Sequence, residues 1–116
     1  MSFPRSLTAT ERSIAWNLSH GADVPELDVL EQQLRGAQAA SGCECVCPTI
    51  SIEVDRALAA AVSYSGKPVA TADYAGGSVM VWIEGGWLSH LEIYWFSDEA
   101  PTEFPPLSEL SNHRPG

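Results

Sequence analysis

Residues 78–96 read SVMVWIEGGWLSHLEIYWF, and this stretch carries the strongest structural signal in the chain. Two runs rich in β-branched and aromatic residues flank Gly85-Gly86. Two glycines between such runs are typical of a two-residue hairpin turn, because both central positions need positive φ. We therefore predict a β-hairpin with strands over about 78–84 and 87–97.

The second strand of this hairpin has an irregular hydrophobic pattern. Leu88 is at an even-numbered position, whereas Leu91 and Ile93 are at odd-numbered ones. Since successive side chains on a strand point to opposite faces, one face holds all three only if an extra residue is inserted. The pattern predicts a bulge near Ser89-His90.

Upstream of the hairpin, residues 41–55 read SGCECVCPTISIEVD, and apolar residues alternate with small or polar ones. This period of two predicts a strand over about 43–55, with Pro48 indicating an edge or a bulge. Residues 67–74 predict a further strand. The even positions are Val46, Pro48, Ile50, Ile52 and Val54, and the odd positions include Cys43, Cys45 and Cys47.

Two helices are predicted before these strands. Thr8 and Glu11 have the spacing of a capping box, which predicts a helix over about 8–20. A second start signal at Asp23-Val-Pro-Glu26 precedes an apolar stripe at helical spacing, which predicts a helix over about 24–40. The stripe consists of Leu27, Leu30, Leu34 and Ala37.

After the hairpin the chain becomes Pro-rich, and we predict an extended tail in which Leu107 and Leu110 pack back on the sheet and residues 112–116 are frayed. The expected fold class is α+β. Two N-terminal helices pack on a mainly antiparallel sheet of about four strands, within a single domain over residues 1–116.

The charge of the chain is acidic and unevenly distributed. The net charge is −9, and no Lys or Arg occurs between Lys67 and Arg114. An acidic surface repels phosphate backbones, so nucleic-acid binding is not expected. No apolar run is long enough to cross a bilayer, and the N-terminus lacks the apolar core of a secretory signal, so we expect no membrane association and a cytoplasmic location.

Three hypotheses are considered for the role of the cysteines. A zinc site is one hypothesis, with Cys43, Cys45, Cys47 and His90 as the candidate ligands. Redox or nucleophilic chemistry is a second, although the chain contains no Cys-x-x-Cys and no evident base for a nucleophile. The third and favoured reading is that the cysteines are small apolar residues on the strand face that lies beneath the two helices.

Tryptophans beside acids suggest a surface for a partner. Trp87, Glu84, Glu92 and Trp95 are the candidate interaction residues, because Trp is enriched at interface hot spots and the acids favour a basic protein. The leading interpretation is a non-enzymatic interaction protein, immunity or regulatory in role, either monomeric or homodimeric. A small metal-binding protein is the alternative, and we assemble no enzyme site.

Five stretches together resemble a group of small bacterial proteins common in actinobacteria, whose pattern extends over nearly the whole chain. They are residues 7–11, residues 30–34, CECVCPTI (43–50), GWLSHLEIY (86–94) and APTEFPPLSEL (100–110). The resemblance implies a cytosolic α+β module without an established activity, and it transfers no functional residue. These proteins often have Gly where this chain has Val46, and valine favours a straighter strand.

Overall fold

The period-two segments of the chain form a sheet with one buried face. A computed structural model describes residues 3–42, 47–63 and 66–116, and within these residues seven strands form one antiparallel sheet in the order β1-β2-β3-β6-β5-β4-β7. The elements are β1 (Arg5–Ser6), α1 (Ala9–Gly21), α2 (Leu27–Arg35), β2 (Gln38–Gly42), β3 (Ile50–Glu53), β4 (Gly66–Tyr74), β5 (Gly77–Glu84), β6 (Trp87–Trp95), a 3₁₀ turn (Leu107–Glu109) and β7 (Ser111–Pro115).

The prediction of about four strands was wrong. The four predicted strands correspond to β3, β4, β5 and β6, and the described residues add β1, β2 and β7. These three strands are short, and their side chains do not alternate between apolar and polar. They form because a neighbouring strand supplies the hydrogen bonds, which is a long-range effect that periodicity does not show.

The helix predicted over 24–40 is too long at both ends. Glu26 precedes the first turn in the left-handed region, with φ of 60°, and α2 ends at Arg35. The residues after it pair with β3, and Ala39 lies opposite Ile52 with no exposed surface. Burial in the sheet therefore overrides the helix propensity of the alanines.

The first helix agrees with its sequence signal. The Thr8 hydroxyl accepts a hydrogen bond from the backbone N–H of Glu11 at 3.0 Å, and the Glu11 carboxylate accepts one from the backbone N–H of Thr8 at 2.8 Å. The predicted capping box is confirmed. The helix buries Ile14 and Leu18 completely against the sheet.

The strand predicted over 43–55 is shorter within the described residues. β3 contains only Ile50–Glu53, whereas residues 47–49 are not in a strand, and Cys43 and Cys45 lie outside the described residues. The alternation itself is confirmed, since Ile50, Ile52 and Val54 are all buried in the core. The helices pack on this side of β3, because Ile50 and Ile52 belong to the same core cluster as the buried residues of α1 and α2, and Ser51 and Glu53 lie on the opposite face. That the cysteines lie beneath the helices stays a prediction, since Cys43 and Cys45 lie outside the described residues and Cys47 is not in a strand.

The hairpin β5–β6 follows the sequence closely. Gly85 and Gly86 have φ of 60° and 90°, which confirms the turn. Trp82 pairs with His90 and Ile83 with Leu88, so Ser89 is an extra residue in β6. This is the predicted bulge, and it brings Leu88, Leu91 and Ile93 to the buried face.

The tail prediction was partly wrong. Leu110 is buried as expected, but Leu107 is exposed. The segment expected to fray forms β7, which pairs with β4 through Thr71 with Arg114 and Asp73 with Ser111. In the part of the chain that the structure describes, no helix is long and apolar enough to cross a membrane.

Candidate functional site

A cleft of about 790 Å³ opens beside the hairpin turn, between the ends of β3, β5 and β6. Its buried apolar lining comes from Ile52, Val54 and Leu88. Its polar lining has four charged side chains, of Glu53, Asp55, Arg56 and Glu84, together with the half-buried ring of Trp87. Three carboxylates and one guanidinium thus line the same cleft as an aromatic ring.

The hairpin register positions two of these residues. Glu84 is the last residue of β5 and Trp87 the first of β6, and they lie directly opposite each other across the glycine turn. Directly opposite residues of an antiparallel pair project from the same face of the sheet. The turn therefore places a carboxylate next to the tryptophan.

The chain after β3 supplies the other charges. Residues 55–58 form a turn in which the Asp55 carboxylate accepts a hydrogen bond from the backbone N–H of Ala57 at 3.0 Å, while the Asp55 carbonyl accepts one from Leu58. This turn holds the Arg56 guanidinium 4.7 Å from the centroid of the Trp87 ring, within the range of a cation–π interaction. The exposed Arg56 side chain therefore covers one face of the ring.

The buried side-chain amide of Gln33 connects α2 to the backbone beside the cleft. The Gln33 side chain has no exposed surface and donates hydrogen bonds to the carbonyl oxygens of Ala60 at 2.8 Å and Gly86 at 3.0 Å. Its own oxygen accepts a hydrogen bond from the backbone N–H of Leu88 at 3.0 Å. Gln33 thereby joins α2 to the loop over residues 55–63 and to the β5–β6 hairpin.

The four residues proposed as an interaction surface do not form one patch. Glu84 and Trp87 share the cleft, and Glu92 lies further along β6, opposite Met80. Trp95 ends β6 opposite Gly77, on the same side of the strand as the buried Ile93. Only Glu84 and Trp87 therefore lie together, and their assignment as contact residues stays a prediction.

The residues proposed as zinc ligands are only partly described. His90 lies opposite Ser51 in the sheet, and its Nδ1 is 3.1 Å from the hydroxyl of Ser89. Cys47 is half-buried against the hydrophobic core. Within residues 3–42, 47–63 and 66–116, no group of three or more His, Cys, Asp or Glu side chains is arranged to hold a metal ion. Cys43 and Cys45 lie outside these ranges, and the zinc site stays a prediction.

Cys47 lines a second cleft, of about 630 Å³, together with Arg5 and Glu11. Two guanidinium nitrogens of Arg5 donate to the two Glu11 carboxylate oxygens, each at 2.8 Å. Burial raises the pKa of Glu11, but the hydrogen bonds from Arg5 and Thr8 outweigh it, so the pKa lies below its ordinary value. This ion pair joins the first strand to α1 and has the character of a structural contact.

Sequence reasoning missed a pair of exposed aromatic residues and part of the cleft. Tyr94 and Phe96 are 54% and 71% exposed, and their rings meet edge to face with centroids 5.4 Å apart. Their spacing of two residues was the available signal. The place of Arg56 over Trp87 had no sequence signal, because the two residues meet only through the pairing of β3 with β6.

No protein-family model, curated protein or solved structure matches this chain.

Proposed function

We propose that this protein is a non-enzymatic interaction module that docks a basic protein in the cleft beside Trp87. The observation that carries the proposal is the composition of the cleft, in which Glu53, Asp55 and Glu84 line the same cleft as a tryptophan whose ring already contacts a guanidinium. A positively charged segment has carboxylates to pair with there and an aromatic face to pack on.

The charge of the whole chain supports the same class of partner. A net charge of −9 attracts basic proteins over long range and repels nucleic acid. In this proposal the protein acts in the cytoplasm, as a monomer or homodimer, and its role is immunity or regulation. Binding is expected to weaken as salt is added, because exposed charges are screened.

The test is a comparison of two double variants that lose the same charge. Isothermal titration calorimetry with an octa-lysine peptide measures the affinity of the natural chain, of Glu53→Gln with Glu84→Gln, and of Glu99→Gln with Glu109→Gln. Glu99 and Glu109 are exposed and lie outside the cleft. The loss of two ion pairs, one at the exposed Glu53 and one at the half-buried Glu84, is expected to weaken binding about five-fold in the cleft variant.

The control double variant is expected to lose less than about two-fold, because it changes only the long-range field. Equal losses of affinity in the two variants would mean that peptide binding depends only on the net charge of the protein. The proposal that the cleft is the docking site would then be wrong.

A further inference from the structure

Arg56 is held in the cleft by an aromatic ring. Its guanidinium lies over the Trp87 ring at 4.7 Å, and the ion pairs found among the described residues do not include it. It stays on the ring although Glu53, Asp55 and Glu84 line the same cleft. The face of Trp87 is therefore a guanidinium site, occupied in this structure by the protein's own arginine.

We infer that the partner inserts an arginine side chain that stacks on Trp87 in place of Arg56. The inference rests on the proposed function, in which a basic protein docks in this cleft. The planar guanidinium of arginine stacks on an aromatic ring and pairs with a carboxylate through two parallel hydrogen bonds, whereas the lysine ammonium is a more strongly hydrated point charge. The cleft offers both elements, the Trp87 ring and the carboxylates of Glu53 and Glu84.

The exchange needs little rearrangement. The turn at residues 55–58 is held by the hydrogen bonds of Asp55 to Ala57 and Leu58, which involve no atom of the Arg56 side chain. Rotation of that side chain into solvent exposes the ring and leaves the turn in place. Arg56 is then an internal competitor, and its own contact with Trp87 is lost whenever the partner's arginine binds.

Competition of this kind predicts a gain of affinity when Arg56 is removed. Calorimetry compares octa-arginine with octa-lysine on the natural chain, on Arg56→Gln and on the control Arg35→Gln. Arg35 is exposed, pairs with Glu31 and does not line the cleft. Both variants remove one positive charge, so a difference between their affinities for the peptide is caused by the loss of Arg56 from the cleft and not by the change in net charge.

Arg56→Gln is expected to bind octa-arginine about two- to five-fold more tightly than Arg35→Gln does, which is the size of an exposed cation–π contact. The gain for octa-lysine should be smaller. A Trp87→Leu variant, checked for folding by circular dichroism, should reduce the preference for arginine over lysine. In NMR spectra, the Nε–H resonance of Arg56 should move towards its free-peptide position as octa-arginine binds.

The inference and the proposed function fail in different ways. If both peptides bind through the cleft carboxylates with equal affinity, and Arg56→Gln behaves like Arg35→Gln, the arginine inference is wrong and the docking of a basic partner stands. If the cleft carboxylates make no difference to either peptide, the proposed function is wrong as well.

Discussion

The side-chain amide of Gln33 in α2 donates a hydrogen bond to the carbonyl oxygen of Gly86 in the hairpin turn, 53 residues further along the chain. The backbone N–H of Val62 donates to the same oxygen at 2.9 Å. The helix, the loop over residues 55–63 and the turn therefore meet at one carbonyl group. This junction fixes the position of Trp87, which directly follows the turn.

Replacement of Gln33 by Ala should destabilise the fold. It leaves the buried N–H of Leu88 without its partner and removes one donor from the carbonyl oxygens of Gly86 and Ala60. The loss of these hydrogen bonds is expected to cost about 2–4 kcal/mol together. The measurement is the free energy of unfolding in urea. The control is Gln32→Ala, because Gln32 is exposed on the same helix and its change is expected to stay within about 0.5 kcal/mol. Similar losses in the two variants would contradict the structural role of Gln33.

The two glycines of the turn should differ in their tolerance of a side chain. A Cβ on Gly86 would lie 2.5 Å from the carbonyl oxygen of Val62, whereas a Cβ on Gly85 meets nothing within 4 Å. Both residues have positive φ, so Gly85→Ala carries only the backbone cost of about 1–2 kcal/mol.

Gly86→Ala adds a steric clash with backbone and should cost at least about 2 kcal/mol more than Gly85→Ala. Thermal unfolding of the two variants at one protein concentration checks this order. If Gly85→Ala were the more damaging change, the loop over residues 55–63 could not lie against the turn as described.

Sequence patterns predicted the elements whose causes are local. The capping box of Thr8 and Glu11 and the glycine turn each depend on residues a few positions apart, and both are present. The bulge at Ser89 could be predicted because Leu88 is at an even position and Leu91 at an odd one. Both side chains lie on the buried face only if one extra residue stands between them.

The elements that depend on distant partners could not be predicted. Residues 38–40 belong to the helix predicted over about 24–40, yet residues 38–42 form β2 because β3 pairs with them. β7 consists mostly of polar residues and carries no strand signal, and it is bound to the sheet through Asp73. The same limit applies to the cleft: the opposition of Glu84 and Trp87 follows from the hairpin, but the place of Arg56 over Trp87 depends on the pairing of β3 with β6.

Removal of the buried carboxylate in α1 should be costly. Glu11 is 5% exposed and accepts two hydrogen bonds from Arg5, so Glu11→Gln leaves a largely buried guanidinium without its counter-ion. The expected loss is about 2–4 kcal/mol in the free energy of unfolding. Glu31→Gln removes an exposed i, i+4 pair with Arg35 and is expected to cost about 0.5 kcal/mol or less. A small loss for Glu11→Gln would show that the Arg5 pair does not hold the first strand.

The attachment of β7 should depend on pH. Hydrogen bonds from Arg114, Asn112 and Ser78 lower the pKa of Asp73 well below its ordinary range. Because the folded state then binds the proton more weakly than the unfolded state, Asp73 contributes stability above about pH 4 and loses it as the pH falls towards the lowered pKa.

Urea midpoints at pH 7 and pH 3 test this dependence. The difference in midpoint between the natural chain and Asp73→Asn should be largest at pH 7 and should shrink at pH 3. Asp98→Asn is the control, because Asp98 is exposed in the tail. An Asp73→Asn difference that is the same at both values would contradict the ionised network of Asp73 with Arg114.

The most direct test of the docking cleft is an NMR titration of the ¹⁵N-labelled protein with an octa-arginine peptide. The account predicts that the largest changes in chemical shift occur at the indole N–H of Trp87 and at the backbone amides of residues 53–56, with small changes at Tyr94, Trp95 and Phe96. Changes concentrated in the acidic tail at residues 98–109, with the Trp87 indole unmoved, would contradict it.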